Sequence, residues 1–182
     1  MAEFTLHAAD TPQDIADVVA LCWAYRKLLL SLPDVSREVT SAFHPDAKYA
    51  ALMDSLPILH ARPKGVIMLA RDAEGTPLGC GMSHPLDPTT SEIKRVFVTA
   101  DARGKGVAEA ICTALVDQAR TDGFARAVLD THITLHPARR LYARLGFTQR
   151  GPYQEMPAEV LPELVFFEKP LHPQSLRLEL PQ

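Results

Sequence analysis

The segment Arg103–Ala108 (RGKGVA) contains the residues whose types and spacing point most directly to chemistry. It lies between a stretch that favours a strand and one that favours a helix. A helix start exposes unpaired backbone N–H groups and the positive end of the helix dipole. Gly104 and Gly106 let an anion approach that backbone closely, and Arg103 and Lys105 add positive charge. The segment therefore predicts an anion-binding site made mostly of main chain.

Two common nucleotide-binding motifs do not fit this loop. A P-loop needs the pattern GxxxxGK[ST], and no lysine followed by serine or threonine stands at that spacing. A dinucleotide-binding fingerprint, GxGxxG, would place a third glycine at position 109, which is Glu109. Both interpretations fail on residues that the chemistry requires.

The stretch Glu92–Ala108 (EIKRVFVTADARGKGVA) resembles the central strand, pyrophosphate loop and helix start of the GNAT N-acetyltransferases. The signature [QR]-x-x-G-x-[GA] of that family is met by Arg103, Gly106 and Ala108. Residues 141–147 (LYARLGF) resemble the second block of the family, LYxxxGF. The resemblance is strong over about residues 91–150, and the order of elements extends it to residues 4–170.

The resemblance implies acetyl-CoA as co-substrate and direct transfer of its acetyl group to a primary amine of a small molecule, peptide or protein. It assigns the pyrophosphate to the loop and the pantetheine arm to the strand before it. The residues implied in cofactor binding are Val96, Phe97, Val98, Arg103, Gly104, Lys105, Gly106, Val107 and Ala108. A non-catalytic acyl-CoA-binding sensor or interaction module is the alternative function.

Two residues are candidates for proton transfer. Tyr142 matches the position of the frequent general acid of the family, although the same spacing suits a core tyrosine of an amphipathic helix. Glu92 matches a strand position where some members carry a base that acts directly or through water. Its alternative is a solvated carboxylate at a strand start. Under strict alternation Lys94 shares the face of Glu92 and Arg95 points away, and a bulge would reverse this.

Other signals are weaker. Leu135 stands where the family often has an asparagine that contacts the cofactor. His132 and His136 are four residues apart, but no third ligand is evident, so no metal site is predicted. The three cysteines form no CxxC motif, which favours buried, reduced thiols.

The predicted fold is α/β (α+β), with a mixed, mostly antiparallel central sheet flanked by helices. Residues 1–170 are predicted to form one domain, and residues 171–182 a surface tail. The regions expected to set acceptor specificity are the first helices, the loop 84–90 and the segment 151–162. Trp23 and Tyr25 are candidates for lining the acceptor pocket, and a plain core position is the alternative for Trp23. A plain surface loop is favoured over a lid for residues 151–162. The predicted strands span residues 4–8, 65–71, 77–83, 92–98, 126–130, 147–150 and 164–169, with helices ending near Leu30, Gly123 and Gly146 and another near residues 49–56.

The composition also argues against nucleic-acid-binding, membrane-spanning and secreted proteins. The 182 residues include 19 basic and 22 acidic side chains, a net charge of −3 that does not favour nucleic-acid binding. No apolar run reaches the length of a membrane span, and the N-terminus lacks a secretory pattern. A cytoplasmic enzyme is therefore expected, with the last strand a candidate for pairing in a homodimer.

Overall fold

A seven-stranded mixed sheet forms the centre of the molecule in a computed structural model that describes residues 4–32 and 45–171. Its order is β1-β2-β3-β4-β5-β7-β6; β4 and β5 are parallel, and every other pair is antiparallel. The predicted fold class is confirmed. The strands are β1 (Phe4–Ala8), β2 (Val66–Asp72), β3 (Pro77–Asp87), β4 (Thr90–Val98), β5 (Arg126–His132), β6 (Thr148–Arg150) and β7 (Leu164–Pro170).

Within residues 4–32 and 45–171, four α-helices cover the two faces of the sheet, and each face has its own apolar core. Val18, Leu21 and Cys22 of the first helix belong to one core, and Ile111 and Leu115 of the third belong to the other. Thr11 caps the first helix by accepting a hydrogen bond from the Asp14 N–H. The helices are α1 (Pro12–Leu30), α2 (Asp46–Leu59), α3 (Val107–Thr121) and α4 (His136–Arg144), with short 3-10 turns at Ala100–Ala102 and Leu161–Glu163.

The two parallel strands part soon after they meet. Their register runs only from Thr90 opposite Arg126 to Glu92 opposite Val128, although β4 continues to Val98 and β5 to His132. At Arg95, β4 contains a residue with φ of 51°, and the register with β3 shifts there. A bulge of this kind bends a strand and increases its local twist. The middle of the sheet is therefore open on the side of β4 that faces β5.

A glycine in β3 sets how closely α3 approaches this opening. A Cβ on Gly81 would lie 2.6 Å from Ile111 Cγ2 and 3.3 Å from Val96 Cγ2. Because only glycine leaves that space free, α3 packs directly onto β3 and β4. Its N-terminus consequently lies beside the open stretch of β4.

The predicted loop at residues 84–90 is wrong. β3 continues to Asp87, and Pro88 and Thr89 alone form the turn to β4. Pro85 is tolerated because β2 pairs with β3 only as far as Ser83, so the missing N–H of the proline breaks no bond on that side. The Asp87 carboxylate accepts a hydrogen bond from the Thr89 N–H at 2.7 Å and closes the turn.

The structure covers the predicted surface tail only at its first residue, Leu171. Residues 172–182 of the predicted tail lie outside the described residues. Within residues 4–32 and 45–171, no helix combines the length and the apolar character that crossing a bilayer requires.

Candidate active site

A cavity of about 620 Å³ lies in the opening between β4 and β5. Its wall includes residues from both faces of the sheet: α3 and α4 on one side, and α1 on the other. The cavity therefore connects the predicted anion-binding loop to the opposite face of the sheet. Such a concave site, largely apolar with a few polar groups, is what a small ligand needs.

The predicted anion-binding loop forms one end of the cavity. Gly106, at φ of 83°, is the N-cap residue of α3, and no side chain caps this helix. The first helical bond runs from the Ala110 N–H to the Gly106 carbonyl, which leaves the N–H groups of the first turn free for a ligand. Arg103, Gly104, Gly106, Val107 and Ala108 line the cavity, whereas Lys105 is exposed and lies outside its wall.

The strand end Val96–Val98 forms the middle of the cavity wall. On its other side it pairs with β3, through Phe97 opposite Cys80 and Val98 opposite Gly79. Since β5 has already turned away, the main-chain groups that face the opening have no ladder partner. They are available to an extended ligand that carries amide groups of its own.

Tyr142 lies on α4 and lines the same cavity. Its ring is 6% exposed and packs against Phe147 and Phe167, with centroids 6.0 and 5.7 Å away. Burial, reinforced by Cys112, Tyr25 and Asp130, raises the pKa of Tyr142 well above its ordinary value of 10. The phenol is therefore protonated at neutral pH and can donate a hydrogen bond or a proton.

Glu92 lies behind the cavity wall, and its carboxylate is already bonded. It is 2% exposed, with Lys94 Nζ at 2.6 Å, the Tyr153 hydroxyl at 2.7 Å and His84 Nε2 at 3.2 Å. Burial alone would raise the pKa of Glu92. The hydrogen bonds from His84, Lys94 and Tyr153 and the charge of Lys94 outweigh burial and lower that pKa to about 2.

Asp130, which sequence reasoning missed, brings a carboxylate into the cavity wall. Its Oδ1 lies 2.8 Å from Lys94 Nζ and 2.9 Å from the Tyr153 hydroxyl. Burial acts to lower the pKa of Lys94, but Asp130 and Glu92 together raise it, so the lysine stays charged. The position of Asp130 near the carboxyl end of β5, where the strand leaves β4, is the signal that could have identified it.

Tyr153 shows that residues 151–162 are more than the plain surface loop that the sequence favoured. Its hydroxyl is within hydrogen-bonding distance of both Glu92 and Asp130, and its ring packs on Phe166 at 5.6 Å. The segment is thus attached to the two parted strands. Its many polar and proline residues hid this contact from sequence reasoning.

Of the other residues that the sequence singled out, some line the cavity and others do not. Tyr25 lines the cavity, whereas Trp23 packs on Tyr49 at 4.9 Å and is not part of the wall. Leu135 lines the cavity at the position where an asparagine was expected from the resemblance. All three cysteines are buried, as predicted, and none forms a disulfide bond.

Comparison with known proteins agrees with this geometry. The family model described as Acetyltransferase (GNAT) family matches residues 30–147. An uncharacterized N-acetyltransferase of Schizosaccharomyces pombe is 30% identical over 169 residues, which cover 91% of this chain and 93% of that protein.

Solved structures show the same fold at low identity. A GNAT acetyltransferase from Staphylococcus aureus superposes with a TM-score of 0.70 at 14% identity, covering 93% of this chain and 100% of the other. A Salmonella typhimurium protein solved with its cofactor acetyl-CoA has a TM-score of 0.64 at 19% identity, covering 99% and 98%. The family match, the relative along nearly the whole chain and the shared fold lead to one conclusion: the chain belongs to the GNAT family of acetyltransferases.

Proposed function

We propose that the protein moves the acetyl group of acetyl-CoA to a primary amine by direct attack, without a covalent enzyme intermediate. The observation that carries this proposal is the continuous cavity from the N-terminus of α3, past Tyr142, to Asp130. It provides an anion site, a proton donor and a carboxylate along one channel. We also propose that residues 1–170 form a single catalytic domain, because both cores pack on the same sheet.

The residues along the channel fit an acyl-CoA. The free N–H groups at the start of α3, with Arg103 beside them, suit a pyrophosphate. The unpaired main chain of Val96–Val98 suits the amide groups of a pantetheine arm, and an N–H from this strand aimed at the acetyl carbonyl would stabilise the oxyanion. The bound thioester supplies an activated acetyl group, and the protein positions it against the amine.

The transfer balances in atoms and charge. The amine nitrogen forms a bond to the acetyl carbon, and the bond from that carbon to sulfur breaks. The ammonium nitrogen loses two of its three protons: Tyr142 gives its own proton to the sulfur, one proton from the nitrogen restores the phenol by way of solvent, and the other is released. An ammonium acceptor therefore yields an amide, free CoA and one proton released to solvent, with no change of oxidation state. A protonated phenol at the cavity wall is suited to the donor step.

Glu92 remains the candidate base, and its surroundings favour indirect action. The carboxylate of Asp130 lies between Glu92 and the cavity, with the Tyr153 hydroxyl and the Lys94 ammonium bridging the two acids. A carboxylate whose pKa is about 2 is a weak base. We propose that Glu92 keeps this bridge in place while the amine proton leaves past Asp130.

Replacing Gly106 by aspartate tests the anion site. The Gly106→Asp side chain would stand at the start of α3 and repel a pyrophosphate, so we expect the Kd for acetyl-CoA to rise about tenfold or more, measured by calorimetry. Gly123→Asp is the matched control, because Gly123 also has a positive φ and open space around it but lies beyond the far end of α3. Equal affinities for the two variants would contradict the site.

Tyr142→Phe tests the proton donor. We expect kcat to fall about a hundredfold, the scale of general-acid catalysis, while the Kd for acetyl-CoA stays within about twofold. The measurement is release of free CoA thiol with an accepted amine, together with acetyl-CoA binding by calorimetry. An unchanged kcat would remove the acid role. Wild-type protein that binds acetyl-CoA but acetylates no amine would favour the acyl-CoA sensor.

Glu92→Gln tests whether Glu92 is ionised in the folded protein. Its folded pKa of about 2 lies below the ordinary 4.5, so its charge stabilises the fold above pH 4.5 and this contribution is lost as pH falls toward 2. The difference in free energy of unfolding between wild type and variant is expected to be about 2 kcal/mol smaller at pH 3 than at pH 7. Urea unfolding at several pH values measures it, and a difference that does not change with pH would show that the pKa is not depressed.

A further inference from the structure

Arg95 is a cation in the cavity wall that has no carboxylate partner in the part of the chain that the structure describes. It is half-buried and lines the cavity. Among the described residues, its side chain contacts the Met82 sulfur, 4.0 Å from Nη1, and the side-chain hydroxyl of Tyr49, whereas no carboxylate lies within 4.0 Å of the guanidinium. Lys94, its neighbour in sequence, is bonded to Glu92 and Asp130. Buried charges are normally paired, so a bound anion would complete this site.

The backbone at Arg95 is strained in a way that directs its side chain. Its φ of 51° is the one positive φ found at a non-glycine among the described residues. Strict alternation would have pointed Arg95 away from Lys94. The bulge brings Arg95 to the face of the sheet that carries Met82, Phe97 and α1. Strain of this kind persists where the surroundings impose it and is concentrated at functional sites.

Asp130 supplies the opposite charge at the same end of the cavity. Lys94 Nζ donates a hydrogen bond to its Oδ1, the Tyr153 hydroxyl lies 2.9 Å from the same oxygen, and Oδ2 has no hydrogen bond among the described residues. Burial and the charge of Asp130 raise the pKa of Tyr25 and the charge of Arg95 lowers it, with a net value of about 12, so both charges act on one cavity-lining ring. Within the described residues, the cavity thus presents, on the side of α1, a guanidinium without a carboxylate partner and a carboxylate oxygen without a hydrogen bond.

We propose that the acceptor is an amino carboxylate, a compound that carries its primary amine and a carboxylate a few bonds apart, such as an amino acid. The guanidinium of Arg95 binds the carboxylate through paired N–H donors. Asp130 Oδ2 accepts a hydrogen bond from the ammonium, which then loses its proton and attacks the thioester. This inference rests on the proposed acetyl transfer and adds the substrate class.

The test compares amino acids with their carboxamides as acceptors for wild type and Arg95→Met, following release of free CoA. We expect the variant to lose about 10- to 100-fold in kcat/KM for the acids and less than about twofold for the amides. Each ratio compares one substrate on two enzymes, so differences in amine basicity cancel. Arg140→Met, which removes an exposed arginine on α4 outside the cavity wall, is the matched control and should change neither ratio.

Arg95→Gly keeps the test decisive if Arg95→Met folds poorly, because glycine adopts a positive φ without strain. Arg95→Gly should show the same selective loss of kcat/KM for the acids, with no decrease in Tm. Equal losses for acids and amides, or amines acetylated by wild type without any amino carboxylate among them, would overturn the inference and leave acetyl transfer standing. Failure of wild type to bind acetyl-CoA would overturn the proposed function, and this inference with it.

Discussion

The parting of β4 and β5 is the constraint on which the rest of the site depends. Parallel strands normally satisfy each other's main-chain groups along their whole length. Here the pairing stops after Glu92 and Val128, and the bulge at Arg95 turns the rest of β4 away. The exposed main chain and the cavity follow from this one departure. Gly81 adds the close packing that brings the start of α3 alongside.

Opening a sheet leaves polar groups that must find partners elsewhere. Glu92, Lys94 and Asp130 meet just where the strands separate, and Tyr153 joins them from the segment between β6 and β7. Each charge in this group is paired and hydrogen-bonded, which is the condition for stable burial. The same group places a carboxylate and a lysine in the cavity wall. Structural support and chemistry therefore come from the same residues.

The loop before α3 and the position of Tyr142 were predictable from sequence, because glycines at a helix start and a tyrosine in a family block are local patterns. The mixed α/β class followed from the order of strands and helices, and the mostly antiparallel sheet from the family resemblance. The roles of Asp130 and Tyr153 were not predictable, since they depend on contacts between residues 23 to 61 positions apart. The orientation of Arg95 depends on a bulge that alternation does not reveal. A cytoplasmic location and a homodimer stay predictions.

Thermal unfolding with and without acetyl-CoA tests most directly whether the parted strands hold this cofactor. Free CoA and ATP serve as comparators, because CoA shares the pantetheine arm, whereas ATP offers adenosine and phosphates without that arm. A ligand that binds only the folded protein stabilises it by about 2.7 kcal/mol at a hundredfold excess over its Kd. We expect acetyl-CoA and CoA to raise the Tm and ATP to leave it unchanged. An unchanged Tm at millimolar acetyl-CoA would contradict the proposal that the opening between β4 and β5 binds this cofactor.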